Sequence, residues 1–275
     1  MRARGKAAEG GEDGVTPAGS TLIFSRRPLR EALLGLSHLG FGTVELAAVE
    51  GWAHIAPSRL VADFGGELEG VRQGLVDAGL RPVAINAGLG AADPVERHAR
   101  ARALFDLASA LGVGVVTLPA GPAEDGAAAA AATLRPLLEE ARARGVTLAV
   151  ETHIGAVTER PAAAVALCLE LPGLRLTLDP SHYWAGPAQQ RGWRDTVPFV
   201  AHVHLRDAGA GGWDEIQVWP GRGSIDFALV AAALRQAGYA GTWAVEYIDT
   251  LPVRGGPGAA AAAATLLAQA RGLQV

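Results

Sequence analysis

Four apolar runs in the second half of the chain each end on residues that can bind a cation or move a proton. LAVETH ends on Glu151 and His153, and LTLDPSH supplies Asp179 and His182. VAHVHLRD carries His202, His204 and Asp207, and WAVEY carries Glu246. A single acid in such a place can simply cap the helix that follows. Acids and histidines on four successive runs point instead to a metal centre or an acid/base site. Carboxylates crowded together repel and resist ionisation unless a cation joins them. A mixed carboxylate and imidazole shell suits one divalent ion, Mn²⁺, Zn²⁺, Co²⁺ or Mg²⁺.

His202 and His204 are two apart, so on a strand they share a face. His204 lies nearer the end and is the better ligand, leaving His202 as a partner behind it or a satisfied core histidine. His182 follows Asp179 by three residues and is within reach of substrate or metal. Asp207 either orients His204 or is an ordinary loop acid. Trp184, Trp213 and Trp219 follow the second and third of these runs in loops, where an indole stacks on a sugar face or packs a small loop core. Arg222, within PGRGS and just ahead of a helix, suits an anion or a polyol oxygen. His54 falls in a loop near Trp52 and could line the same mouth, whereas His38 and His98 fall within helices.

Something must carry these residues to one place. From Thr21 onward, β-branched runs of four to six residues alternate with Ala/Leu-rich stretches. The expected strands are 21–24, 43–47, 82–86, 113–118, 146–151, 174–179, 199–204 and 242–246. The expected helices lie near 28–39, 67–78, 94–111, 126–143, 159–170, 189–196, 226–237 and 257–271. Asp93-Pro94 is an N-cap followed by a proline at the first helical position, and Gly145 and Gly238 stand just past helix ends. Repeats such as LGFGTVEL and LGVGVVTL mark the return from helix to strand. Eight units predict an α/β (β/α)8 TIM barrel in a single domain, whose strand ends converge on one mouth. No G-x-G-x-x-G follows the first strand, which weakens a dinucleotide-binding reading.

The chain has 275 residues and a formal net charge of −4 without a long basic run, so broad nucleic-acid binding is not expected. Its one cysteine, Cys168, cannot form an internal disulfide and reads as an inert core residue. Residues 1–19 are polar and Gly-rich with no apolar core for a signal peptide, and are expected to be a flexible extension of a barrel spanning 20–275. The alanine runs are too short and too weakly hydrophobic to cross a bilayer. A cytoplasmic protein with a small-molecule partner, no membrane and no nucleic acid is the expectation, and a homo-oligomer is compatible with it.

Taken together, GFGTVEL at 40–46, VETH at 150–153, LDPSH at 178–182, HVHLRD at 202–207, G-x-G-x-IDF at 221–227 and AVEY at 244–247 resemble the sugar phosphate isomerase/epimerase family, the xylose isomerase-like barrels. The resemblance implies that Glu151, Asp179, His204 and Glu246 bind the metal and that His182 contacts substrate. It further implies that Glu151 and Glu246 carry protons on opposite faces of a sugar or cyclitol, through an enediolate. His153, Arg222 and Trp184 are the remaining expected substrate contacts. Two positions depart from the epimerases: Val157 stands where they carry a further glutamate, with Glu159 two residues on, and Arg222 stands where many relatives have Glu. The same scaffold is similar to inosose and dehydroshikimate dehydratases, so a lyase is the alternative. Repair endonucleases of the endonuclease IV type need three metals and extra histidines, which the strands here do not offer.

Overall fold

The computed structural model describes residues 17–90 and 93–271. Eight parallel strands close on themselves: β1 (Pro17–Ser20), β2 (Thr43–Val49), β4 (Arg81–Gly88), β5 (Val115–Leu118), β6 (Thr147–Glu151), β7 (Arg175–Leu178), β8 (Val200–Leu205) and β9 (Trp243–Val245). Closure comes from β1, which pairs in parallel with both β2 and β9. The two-residue strand β3 (Ala53–His54) folds back antiparallel on β2 at its upper end. The expected TIM barrel is therefore the observed fold.

Around the strands run α1 (Leu29–His38), α2 (Pro57–Ala62), α3 (Phe64–Ala78), α4 (Pro94–Leu111), α5 (Gly126–Ala143), α6 (Pro161–Glu170), α7 (Pro180–Ala185), α8 (Phe227–Gln236) and α9 (Ala259–Arg271). Among the described residues, no helix is long and apolar enough to cross a membrane. Helices α4 and α5 keep the bounds read from the sequence, because local chemistry defines their ends. Asp93 accepts from the backbone of Val95 and Glu96, and Gly112 closes α4 with φ 69°.

Alternation along the strands divides the interior in two. Leu176, Leu178, Val203, Leu205 and Val245 point outward into the apolar layer beneath the helices, where Cys168 is also buried. Burial pushes the Cys168 thiol up to about 12, so it is inert. The residues between them face the barrel axis, and many are polar. Thr117 and Thr177 hydrogen-bond across the barrel at 2.6 Å, and His202 and His204 both reach Glu45.

Two expected elements stand elsewhere. The first strand is Pro17–Ser20, and Thr21–Phe24 is a 3-10 turn. The turn forms because Ser20 accepts from the Leu22 amide and the Thr21 hydroxyl takes the Ala47 amide, which outweighs the β-branched preference of the run. Residues 17–19 thus belong to the barrel, and the rest of the expected extension lies outside the described residues. Second, no α-helix spans 189–196. The segment instead contains Gln189 and Gln190 with φ of 47° and 66°, then a 3-10 stretch at Trp193–Phe199. Helix α7 starts directly after β7, with Asp179 as its cap.

Candidate metal centre

Strand β6 ends on Glu151, β7 runs into Asp179, β8 carries His204 and β9 runs into Glu246. One donor atom from each of these four lies within 4.8 Å of the others. His204 Nδ1 is 2.8 Å from Glu151 Oε1 and 3.5 Å from Glu246 Oε2. Asp179 works in two directions. Its Oδ1 accepts from the Ser181 amide at 2.8 Å, capping α7, and its Oδ2 accepts from Arg206 Nη2 at 2.6 Å. Glu246 Oε1 accepts from Asn86 Nδ2 at 2.9 Å. Carboxylate oxygens with one imidazole nitrogen, converging at this spacing, are a donor set that could hold a divalent cation.

The charges in the cluster are unequal. Burial pushes Glu246 up to about 8, Glu151 and Glu45 add repulsion, and His204 and Arg206 only partly offset both. Glu151 feels burial too, yet the hydrogen bond and charge of His204 hold it below the usual carboxylate range. His204 is also opposed by burial, but Glu246, Glu45 and Glu151 raise it well above an ordinary imidazole. His182 goes the other way: burial, then His153 and Arg206, lower it well below its usual value and keep it neutral.

These groups open into a cavity of about 330 Å³ at the carboxyl ends of the strands. Glu151, Glu246, His153 and His182 line it, together with Arg206, Asn86, Trp52 and Trp213. The His153 and His182 rings lie 3.9 Å apart, and Trp213 stands 5.9 and 6.2 Å from them, forming one aromatic wall. A second cavity of about 420 Å³, lined mostly by Gly, Ala, Leu and Pro, shares Gly88 and Pro119 with the first.

Two residues read from the sequence as substrate contacts are placed elsewhere, and the two readings of Asp207 are resolved. Trp184 is buried against Trp193, with its Nε1 donating to the Ser224 carbonyl at 3.0 Å, so it packs a loop core and does not line the cavity. Arg222 is exposed beside Gly255, outside the cavity lining. Asp207 does not reach His204. It lies just past the end of β8 as a loop acid and accepts from the amides of Ala208, Gly221 and Gly223, fastening the glycine loop. A Cβ at position 223 would collide with the Asp207 carboxylate, which explains the second glycine of that loop. Glu159 also stays outside the cavity, its Oε2 accepting from the Gly155 amide, and Val157 is buried.

The sequence reading missed Arg206, Asn86 and Glu45. Arg206 is 2% exposed, and its guanidinium reaches Asp179, His182, Ser181 and, at 3.4 Å, Glu246. Its signal was present, because 202, 204 and 206 share one face of a strand. Asn86 closes an apolar run, and its partner lies 160 residues away. Glu45 occupies an ordinary-looking V-E-L.

A comparison with curated protein sequences gives no match. Solved structures share the fold at low identity. A xylose isomerase-like TIM barrel protein from Mycobacterium smegmatis in complex with magnesium is 18% identical, with TM-score 0.74 over 95% of this chain and 98% of that one. The 3-keto-D-glucoside 4-epimerase YcjR from E. coli is 17% identical, with TM-score 0.70 over 94% and 99%. The probable 3-DHS dehydratase AsbF from Bacillus anthracis is 16% identical, with TM-score 0.70 over 92% and 98%. The family model described as xylose isomerase-like TIM barrel matches residues 35–270. With seven of the eight barrel strands and the whole strand-end donor set lying inside that match, the chain belongs to the xylose isomerase-like TIM barrel family.

Proposed function

We propose that the protein is a divalent-metal-dependent isomerase or epimerase that moves a proton at the carbon beside a carbonyl in a sugar or cyclitol. One observation carries this reading: Glu151 and Glu246 meet at His204 Nδ1 from separate strands, with Asp179 completing the cluster of donors. Two carboxylates that reach one point from different strands can serve as base and acid on two sides of a substrate. Glu151, Asp179, His204 and Glu246 would hold a divalent cation, which when bound would supply Lewis acidity to a carbonyl and its neighbouring hydroxyl and so acidify the adjacent C–H.

The chain's own residues supply the rest. Glu151 and Glu246 remove and return the proton from two sides of the substrate, and the enediolate is stabilised between these steps by donors already fixed in place. Neutral His182 and the Arg206 guanidinium hydrogen-bond to substrate oxygens. The wall of His153, His182 and Trp213 offers a flat surface to a sugar ring. Mn²⁺, Co²⁺, Zn²⁺ and Mg²⁺ all suit the donors, and the magnesium complex of the Mycobacterium protein supports Mg²⁺ among them.

A dehydratase on the same site is the second reading, and Val157 favours it. The epimerases this chain resembles carry a further carboxylate there, and neither Val157 nor Glu159 reaches the cavity. A panel of ketoses and inososes incubated in D2O with each metal separates the two. Deuterium in recovered substrate or its epimer supports proton return, and loss of water with a new enone absorbance supports the lyase. Glu246→Gln should lower turnover by ~10²–10⁴-fold. Unchanged turnover in that variant would sink the mechanism.

A further inference from the structure

The ligand histidine is held from behind. His204 Nε2 lies 3.0 Å from Glu45 Oε2, and His202 Nε2 lies 2.8 Å from the same oxygen. Glu45 is on β2, three strands round the barrel from β8, and all three side chains are buried. The other Glu45 oxygen, Oε1, has no hydrogen-bond partner among the described residues, so the two imidazoles set the carboxylate's orientation. The His202 and His204 rings meet edge to face, 5.4 Å apart at 87°, which fixes the ring plane of His204. An imidazole offers a lone pair from one nitrogen only when its proton sits on the other. With Glu45 accepting at Nε2, the lone pair of neutral His204 is at Nδ1, the nitrogen that faces Glu151 and Glu246.

We propose that Glu45 and His202 are positioning residues, a carboxylate–imidazole pair that selects Nδ1 of His204 as the cation ligand and aims it between Glu151 and Glu246. This inference rests on the proposed metal site. A carboxylate that accepts the distal N–H of a ligand histidine fixes both its tautomer and its orientation, and removing it weakens metal binding by roughly 10–100-fold. His202 adds the second N–H that stops the carboxylate from turning away.

The test uses the full-length protein stripped of metal, titrated with Mn²⁺ by EPR and with Co²⁺ by visible absorption. Glu45→Gln keeps the shape and one acceptor oxygen for the two N–H groups but removes the negative charge that holds the proton on Nε2 of His204. It should weaken Mn²⁺ binding ~10–100-fold and move the Co²⁺ bands, while far-UV circular dichroism stays that of wild type. His202→Gln should weaken binding several-fold with the same Co²⁺ shift, and it decides the matter if Glu45→Gln does not fold. Affinity within twofold of wild type and an unchanged Co²⁺ spectrum in the folded variants would overturn the inference. So would a wild-type protein that binds two ions and a Glu45→Gln protein that binds one, because Glu45, His202 and His204 donors also lie within 4.8 Å of one another and would then be ligands themselves. A wild type that binds no divalent cation overturns the proposed function as well. Loss confined to the variants' arms leaves that function standing.

Discussion

Glu246 sits where three strands' worth of charge meets, and its pKa near 8 means that its proton and a cation compete for one oxygen. His204 adds a second proton to be displaced, since its neighbours hold it above an ordinary imidazole. Both groups must be deprotonated to act as ligands, so cation affinity should rise with pH through about 8 and level off only once His204 has also lost its proton. Mn²⁺ titrations across that range, with proton release followed in weak buffer, check the sign. Arg206 is the other lever. Its guanidinium answers Asp179 and Glu246 in a buried setting, and removing one partner of such a pair destabilises by about 3–5 kcal/mol. Arg206→Ala should therefore lower the melting temperature of cation-free protein, and saturating Mn²⁺ should recover part of the loss by replacing the positive charge. The acids and His204 were legible in the sequence because ionisable residues rarely close apolar runs without a reason. Glu45 and Asn86 were not, since a polar residue inside a strand shows its purpose only through a partner far along the chain.

Elements were legible where their ends are written in capping chemistry. Asp93-Pro94 and Gly112 delimit α4 through side-chain and left-handed caps that depend on neighbours only. The first strand was displaced because its determinant is tertiary. Most of PAGS falls in the expected extension, yet a Cβ on Gly19 would stand 2.7 Å from Leu36 and 3.0 Å from Phe41, so glycine lets the α1 face press onto β1. Gly19→Ala should destabilise the fold by about 1–3 kcal/mol through overpacking, measurable as a shift in the denaturant midpoint at unchanged slope. The same tertiary logic decides Asp207. Its place beside the histidines allowed either a role behind His204 or that of a loop acid, and its bonds to the Gly221 and Gly223 amides make it the loop acid.

For the molecule as a whole, the barrel axis is a column of polar groups surrounded by an apolar sleeve. The eightfold alternation of strand and helix was visible in the sequence, and closure follows from β1 pairing on both sides. A column that holds Glu45, Glu151, Asp179 and Glu246 against His204 and Arg206 gains from any cation that enters it. At a hundred times its dissociation constant, a bound ion adds ~2.7 kcal/mol, which for a chain of this size raises the melting temperature by about 5–11 °C. Differential scanning fluorimetry with Mn²⁺ and with a chelator reads this directly, and equal melting temperatures would count against the site.

The mouth of the cavity has one more property, an optical one. Of the indoles, Trp52 and Trp213 line the cavity and are 45% and 51% exposed, whereas Trp184, Trp193 and Trp243 are buried. The chain thus carries its own fluorophores at the entrance, against a constant background from the interior. A ligand that fills the cavity should shift the emission to shorter wavelength and shield part of it from acrylamide, and Trp213→Phe should remove much of that response. Candidate sugars and cyclitols can then be ranked by light before any turnover is known.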